Sequence, residues 1–337
     1  MRDKIKDYVR LNDGIGILRH YDQFHRFYHN KDHIYDMVEI AVKNEWIHLE
    51  EDPNSLFYAI LYHDVIYDST RTDNEKLSGE KLLHDMRFYN KTVMPLPEKN
   101  AKEVYDAILS TANHIPVNDL SEKLIYLDLW ILQSPIHKFL NFEKGIMKEY
   151  QWIDYSIYLE KRYKILEKLK VSSDRIELIR SLKPNIAVYP GSFNPFHIGH
   201  YDILVKAEQI FDKVIVARGI NPQKSSILNN LEINSKLHRQ IDYYEGLLTE
   251  YLNTKKYDLT IIRGIRNSTD LQFESNQYQY LQEIEKHNYV WILADKKYDH
   301  VSSSGINTIA LYNKDLTKQY LEYSHLDNTQ DNDSTII

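Results

Sequence analysis

Cysteine is absent from all 337 residues. That excludes disulfides and thiolate metal sites, agrees with a reducing compartment, and sets a cytoplasmic location as the expectation. Long apolar runs are missing too. No stretch approaches the ~18 residues that cross a bilayer, and none resembles a signal peptide, so no membrane association is expected. A basic excess is lacking: the formal net charge is −7 and the pI is near 6.1, which gives no reason to expect nucleic-acid binding. The 27 tyrosines are scattered without the aromatic–basic interleaving of a single-strand groove, and they read as half-buried residues on helix faces. No internal repeat is evident. Low complexity is confined to the polar, acidic run from Asp327 to Ser334, expected to be disordered.

What is present changes character partway along. Helical periodicity dominates residues 1–180, with few glycines and little β-branched alternation. After Ser181-Leu182-Lys183-Pro184 the pattern becomes short apolar runs separated by loops and helices, and Pro184 suits the end of a helix before a first strand. The length and this shift predict two domains, each large enough for its own core. The expected division is an all-α domain over 1–182, an α/β Rossmann-like domain with a parallel sheet over 183–318, and a polar tail over 319–337.

In the second half, Ile186-Ala187-Val188-Tyr189 reads as a buried strand, and Tyr189-Pro-Gly-Ser-Phe-Asn-Pro-Phe-His-Ile-Gly-His200 follows as a glycine-bearing loop. A helix with Ile203, Leu204, Ala207, Ile210 and Phe211 on one face comes next, then the strand Val214-Ile215-Val216-Ala217. That βαβ order implies a parallel sheet, which binds ligands at the carboxyl ends of its strands beside helix N-termini that attract phosphate. His197 and His200 fall at that spot, one turn apart, with Gly199 permitting close approach. Nucleotidyl transfer needs positioned donors around the phosphate in flight and no covalent enzyme intermediate. Arg263 and Arg266 follow another strand and suit phosphate oxygens. Val301-Ser302-Ser303-Ser304 reads as a capped helix start facing a phosphate. An exposed arginine or a serine cap is ordinary when taken singly.

Together and in this order the stretches resemble the bacterial phosphopantetheine adenylyltransferases of the nucleotidyltransferase superfamily. The residues that carry the resemblance are Ala187 to Phe193, Asn221-Pro222-Gln223-Lys224, Glu245-Gly246-Leu247-Leu248, Arg263-Gly264-Ile265-Arg266, Asp270-Leu271-Gln272-Phe273-Glu274 and Ser302-Ser303-Ser304. The resemblance implies transfer of AMP from ATP to 4′-phosphopantetheine, with Mg²⁺ on the triphosphate. It implies that Ser192 and His200 contact ATP phosphates, with Phe193 in the same binding loop and His200 the main transition-state stabiliser. It further implies that Lys224 reaches the reacting phosphates, that Arg263 and Arg266 hold nucleotide or pantetheine phosphate, that Glu274 lies near the nucleotide, and that Ser302, Ser303 and Ser304 close over the triphosphate. The family usually has Thr at the position of His197. A histidine there is commoner in nicotinamide or nicotinate mononucleotide adenylyltransferases, so a mononucleotide acceptor is the alternative. Family members are hexamers, which implies a homo-oligomer. The Ser/Asn-rich stretch from Ser225 to Leu237 is read as a loop over the nucleotide site.

In the first half, Tyr28-His29-Asn30-Lys31-Asp32-His33, then His63-Asp64, then Asp128 stand out. His29 and His33 are four apart and would share a helix face. Imidazoles and carboxylates from separate helices suit a hard or borderline divalent cation such as Mn, Fe, Mg or Zn. Such a cation generates a nucleophile from water for phosphoester hydrolysis. The set resembles the HD-domain metal-dependent phosphohydrolase superfamily, an all-helical fold. That resemblance implies His33, His63, Asp64 and Asp128 as ligands and His29 as proton donor to the leaving oxygen, with His114 a candidate nearby. A bifunctional enzyme is therefore expected; a nucleotide-sensing regulator with an inactive helical domain is the alternative from another class.

Overall fold

The computed structural model describes residues 1–89, 96, 98–220 and 238–321, and they form two compact units, Met1–Glu149 and Tyr150–Ile337. Among the described residues, no helix is long and apolar enough to cross a membrane.

The first unit is helical: α1 (Arg2–Asn12), α2 (Lys31–Lys43), α3 (Ser55–Tyr62), α4 (Asn74–Phe88), α5 (Glu98–Ser110), α6 (Asp119–Leu129) and α7 (Ile136–Glu149). Helix α3, Ser-Leu-Phe-Tyr-Ala-Ile-Leu-Tyr, is apolar on every side, and its residues 56–62 are all buried. A helix without a polar face can only sit at the centre of a bundle. Asn54 caps its start by accepting from the Phe57 N–H, and its C-terminus delivers His63 and Asp64 into the interior. The core around it takes Ile5 and Val9 from α1, Ile34 and Val38 from α2, Val104 and Ile108 from α5 and Leu124 from α6.

The second unit carries a five-stranded parallel sheet in the order β3-β2-β1-β4-β5. The strands are β1 (Ile186–Gly191), β2 (Lys213–Gly219), β3 (Ile241–Tyr244), β4 (Thr260–Ile265) and β5 (Asn288–Leu293). The helices are α8 (Tyr155–Lys168), α9 (Ser173–Ser181), α10 (Ile198–Glu208), α11 (Leu248–Asn253), α12 (Ser268–Ile284) and α13 (Ser303–Tyr312). Both expected strands around the histidine motif are present. Strand β1 is buried on both faces, as the continuous apolar run requires. Of the expected apolar face on α10, Ile203, Leu204, Ala207 and Phe211 are buried; Ile210 lies beyond the helix end and is 58% exposed. Helix α10 packs so closely on β4 that a Cβ on Gly264 would meet Ile203 Cγ1 at 2.7 Å.

The compact units divide between Glu149 and Tyr150, whereas the change of pattern had placed the join near Pro184. Helices α8 and α9 fall in the second unit, and the segment 151–154 that leads into α8 is tied to the sheet unit for a physical reason. The buried Lys213 ammonium donates to the carbonyls of Gln151 and Ile153, and the Gln240 N–H donates to Gln151 O at 3.1 Å. Asp154 Oδ2 accepts from Lys255 Nζ at 3.0 Å and from the Tyr257 hydroxyl at 3.0 Å. Of the expected tail, residues 322–337 lie outside the described residues.

Candidate active sites

In the sheet unit the chain order reverses between β1 and β4, the place where open α/β sheets take their ligands. The loop Gly191–His197 leaves β1 there, and Arg263 and Arg266 stand in and just after β4. His197 is the N-cap of α10, and its Nδ1 accepts from the Gly199 N–H at 3.2 Å. The His200 Nδ1 accepts from the His197 N–H at 3.3 Å. The rings stack, centroids 3.7 Å apart, and a Cβ on Gly199 would crowd His197 Nδ1 at 3.2 Å. With each Nδ1 accepting, the neutral rings carry their protons on Nε2, so each histidine keeps one N–H donor close to the helix N-terminus. Burial, with Arg266 nearby, pushes His197 down to about 3. Burial, His197 and Arg266 push His200 well below its ordinary value.

Both arginines are held by the protein. Arg266 Nε and Nη2 donate to the two Asp270 oxygens at 2.8 and 3.1 Å, and Nη1 donates to Val301 O at 3.0 Å. Arg263 Nη1 donates to Pro190 O at 2.6 Å, and its Nε donates to the Tyr289 hydroxyl at 3.2 Å. Glu274 sits 3.2 Å from Arg263 Nε, so it is paired with a guanidinium. Ser302 caps α13 by accepting from the Gly305 N–H, and Ser303 Oγ donates to Pro195 O at 2.9 Å. Asn307 Nδ2 donates to Asn194 O at 3.0 Å. Those contacts bring the start of α13 onto the loop after β1, with Ser304 exposed beside it. Phe193 is buried and packs edge-on to His200, while Ser192 is exposed. The side-chain oxygens of Asn194 and Asn307 are buried with no donor among the described residues, which is a place for hydrogen-bond donors of a ligand. Lys224, with Asn221, Pro222, Gln223 and the Ser225–Leu237 stretch, lies outside the described residues.

In the helical unit, His33 Nε2 lies 3.2 Å from His63 Nε2 and 3.4 Å from Asp128 Oδ1. His63 Nε2 lies 3.0 Å from Asp64 Oδ2 and 3.9 Å from Asp128 Oδ1. One potential donor atom from each of His33, His63 and Asp64 falls within 4.8 Å of the others. His63 Nδ1 donates to Ile60 O at 2.8 Å, which leaves the Nε2 lone pair facing the carboxylates, the tautomer a metal needs. Burial opposes a charge on His63, yet Asp64 and Asp128 outweigh it and raise the ring to about 9. A positive charge is therefore wanted among these atoms, and a divalent cation bound by mixed nitrogen and oxygen donors fits. His114 is placed at the same cluster, its Nε2 3.8 Å from Asp128 Oδ2.

His29 does not share a helix face with His33. It precedes the α2 cap Asn30 and is aimed by Glu149, a residue without a sequence signal. Glu149 is fully buried, accepts from the Tyr28 and His29 N–H groups at 2.7 and 2.8 Å, and pairs with His29 Nδ1 at 2.6 Å. Its second oxygen also takes the Tyr67 hydroxyl at 2.8 Å. A carboxylate only accepts, so His29 Nδ1 carries a proton and Nε2 turns to Asp64, 4.0 Å away. Burial works against a charge there, but Glu149 raises the ring. Arg26 was also missed, although it stands three residues before His29. Its buried guanidinium donates to the carbonyls of Asp64 (2.6 Å), Val65 (3.0 Å) and His29 (3.3 Å), clamping the two loops that carry the site.

Comparison with known proteins places residues 188–309 in the family described as cytidylyltransferase-like. The chain is 33% identical over 147 residues to a phosphopantetheine adenylyltransferase of Leptospira biflexa serovar Patoc, covering 40% of this chain and 89% of that protein. It is 35% identical over 148 residues to the enzyme of that name from Thermotoga neapolitana, covering 40% and 88%. For the one from Clostridium novyi the figures are 32% over 136 residues, covering 38% and 84%.

Proposed function

The chain belongs, through its second unit, to the phosphopantetheine adenylyltransferase family, and on that premise we propose that this unit transfers AMP from ATP to 4′-phosphopantetheine, releasing pyrophosphate and giving dephospho-coenzyme A. The observation that carries adenylyl transfer, whichever the acceptor, is the stacked His197–His200 pair, two Nε2–H donors at a helix start on the sheet's switch point; family likeness carries the choice of phosphopantetheine. A phosphate oxygen of the acceptor attacks the α-phosphorus, and the bond to the pyrophosphate breaks. The attacking oxygen is already anionic, so no general base is required, and catalysis reduces to alignment and charge stabilisation. Mg²⁺ on the triphosphate would neutralise part of the charge on the departing pyrophosphate. His200 Nε2–H is suited to the α-phosphate oxygen whose charge grows in flight, with His197 donating beside it. Arg263 and Arg266 face phosphates from the β4 side. Lys224 and the serines Ser192, Ser302, Ser303 and Ser304 are assigned to the triphosphate by family likeness.

His197 favours a second reading, in which nicotinamide or nicotinate mononucleotide is the acceptor. Purified protein with ATP and each of the three acceptors separates the two. We expect pyrophosphate release with phosphopantetheine; release with a pyridine mononucleotide alone would overturn the acceptor assignment.

For the first unit we propose an HD-type metal-dependent phosphohydrolase acting on a phosphate ester or nucleotide. Convergence of His33, His63 and Asp64, with Asp128 alongside, supports it. A bound divalent cation (Mn, Fe, Mg or Zn) would supply Lewis-acid polarisation of a phosphate and activation of water. His29, held by Glu149, donates a proton to the leaving oxygen. Metal content and phosphatase rate are to be compared between the parent protein and His63→Ala; equal rates would remove the hydrolase.

A further inference from the structure

Arg263 of β4 and Tyr289 and Trp291 of β5 turn toward α12. Arg263 pairs in register with Trp291, and Ile261 pairs with Tyr289. Glu274 of α12 meets Arg263, and Tyr278 of α12 meets both aromatic rings. Three polar groups close a ring on this face. The Tyr289 hydroxyl accepts from Arg263 Nε at 3.2 Å and donates to Glu274 Oε2 at 3.1 Å, while that carboxylate oxygen stands 3.2 Å from the same Nε. A phenol can do both at once because it carries one donor and an acceptor lone pair. Its own ring is wedged edge-to-face by Tyr278 and Trp291, centroids 5.3 and 5.9 Å away, so the hydroxyl has little freedom to move. On the other edge, Pro190 O fixes Nη1 at 2.6 Å. Among the described residues, Arg263 Nη2 has no protein partner.

We infer that Tyr289 is a positioning residue for adenylyl transfer: through its hydroxyl and Glu274 it locks the Arg263 guanidinium so that the Nη2 edge is presented, already oriented, to a substrate phosphate. The inference rests on the reading that Arg263 binds phosphate. None of the stretches that carry the family resemblance includes Tyr289. A long side chain ordered before binding loses less rotamer freedom when the ligand arrives, which lowers the dissociation constant and leaves the transition-state contacts of His200 untouched.

The alternative is that Tyr289 only fills space among Tyr278 and Trp291, in which case its ring matters and its hydroxyl does not. Steady-state transfer by the full-length protein with ATP and 4′-phosphopantetheine, varying each substrate, distinguishes the two. Arg263→Lys identifies the substrate whose KM depends on the guanidinium. Tyr289→Phe is expected to raise the KM of that same substrate about fivefold, the scale of one ordinary net hydrogen bond, with kcat changed by less than about twofold. Glu274→Gln should act on the same constant. In the Arg263→Lys background, Tyr289→Phe should add nothing, because its effect passes through the missing fork. A silent Tyr289→Phe beside a damaging Arg263→Lys would overturn the inference, and so would fully additive effects in the double variant. A silent Arg263→Lys would instead remove the phosphate role of Arg263, and this inference with it.

Discussion

A histidine at a helix start is shaped by which of its nitrogens is already spoken for. His200 accepts a backbone N–H on Nδ1, so the neutral ring has one donor left, on Nε2. His200→Ala is expected to lower the transfer kcat by about 10²–10³, the usual loss for a donor to developing phosphate or oxyanion charge, with metal content unchanged; loss of bound metal as well would show that the two units depend on each other. The pH profile tests the same pair. His197 is pushed from 6.5 to about 3, and His200 well below 6.5, in each case chiefly by burial. In the free protein both therefore stay neutral, so between about pH 5 and 8 the shape of kcat/KM should be set by the substrate phosphates, which titrate near about 6, and should be unmoved in His197→Asn; a limb that disappears in that variant would contradict the geometry. The sign for stability follows from the same shifts. The unfolded chain takes up these protons near 6.5 and the folded chain only far below, so stability falls as pH drops from there toward about 3. Arg26 shows the opposite case, a buried cation satisfied by carbonyl oxygens. Arg26→Met should cost about 3 kcal/mol, read as a lowered urea midpoint, because three carbonyls, one buried and two partly buried, lose their donor.

Among the elements, some were legible because periodicity and burial coincide. The apolar run Ile186–Tyr189, followed at once by a glycine-bearing loop and a helical face, reads as a buried strand and is one, so the loop after β1 could be placed in advance. The segment Tyr150–Tyr155 was not legible in this way. Its partners, Lys213, Gln240, Lys255 and Tyr257, lie about 60 to 100 residues further on, and nothing local marks them. Helix α8 was assigned to the first domain for that reason. Asp154 caps α8 by accepting from the Ser156 N–H at 2.9 Å and also holds Lys255 and Tyr257. Asp154→Ala should therefore destabilise the sheet-bearing unit by about 2 kcal/mol, combining a lost cap with a broken ion pair. Calorimetry showing an unaltered transition would mean that α8 belongs thermodynamically elsewhere.

At the scale of the whole molecule, each unit has its own core, and ligands that bind only the native form of one unit stabilise that unit. Thermal unfolding should therefore show a transition raised by ATP with Mg²⁺ and a second raised by Mn²⁺, the latter lost in His63→Ala. A Mn²⁺ effect that survives His63→Ala would argue against a cation at that cluster. The sequence by itself determined the two-part organisation, the parallel sheet, the glycine-bearing loop after β1 and the grouping of His33, His63, Asp64 and Asp128, because these follow from local period and from residue types at short spacing. Only the tertiary structure decided that Glu149 aims His29, that Arg26 ties the two loops, that Tyr289 holds Arg263, and where the chain divides. Those contacts join residues distant in the chain, and a buried polar group takes its partner from whatever the fold brings within hydrogen-bond reach.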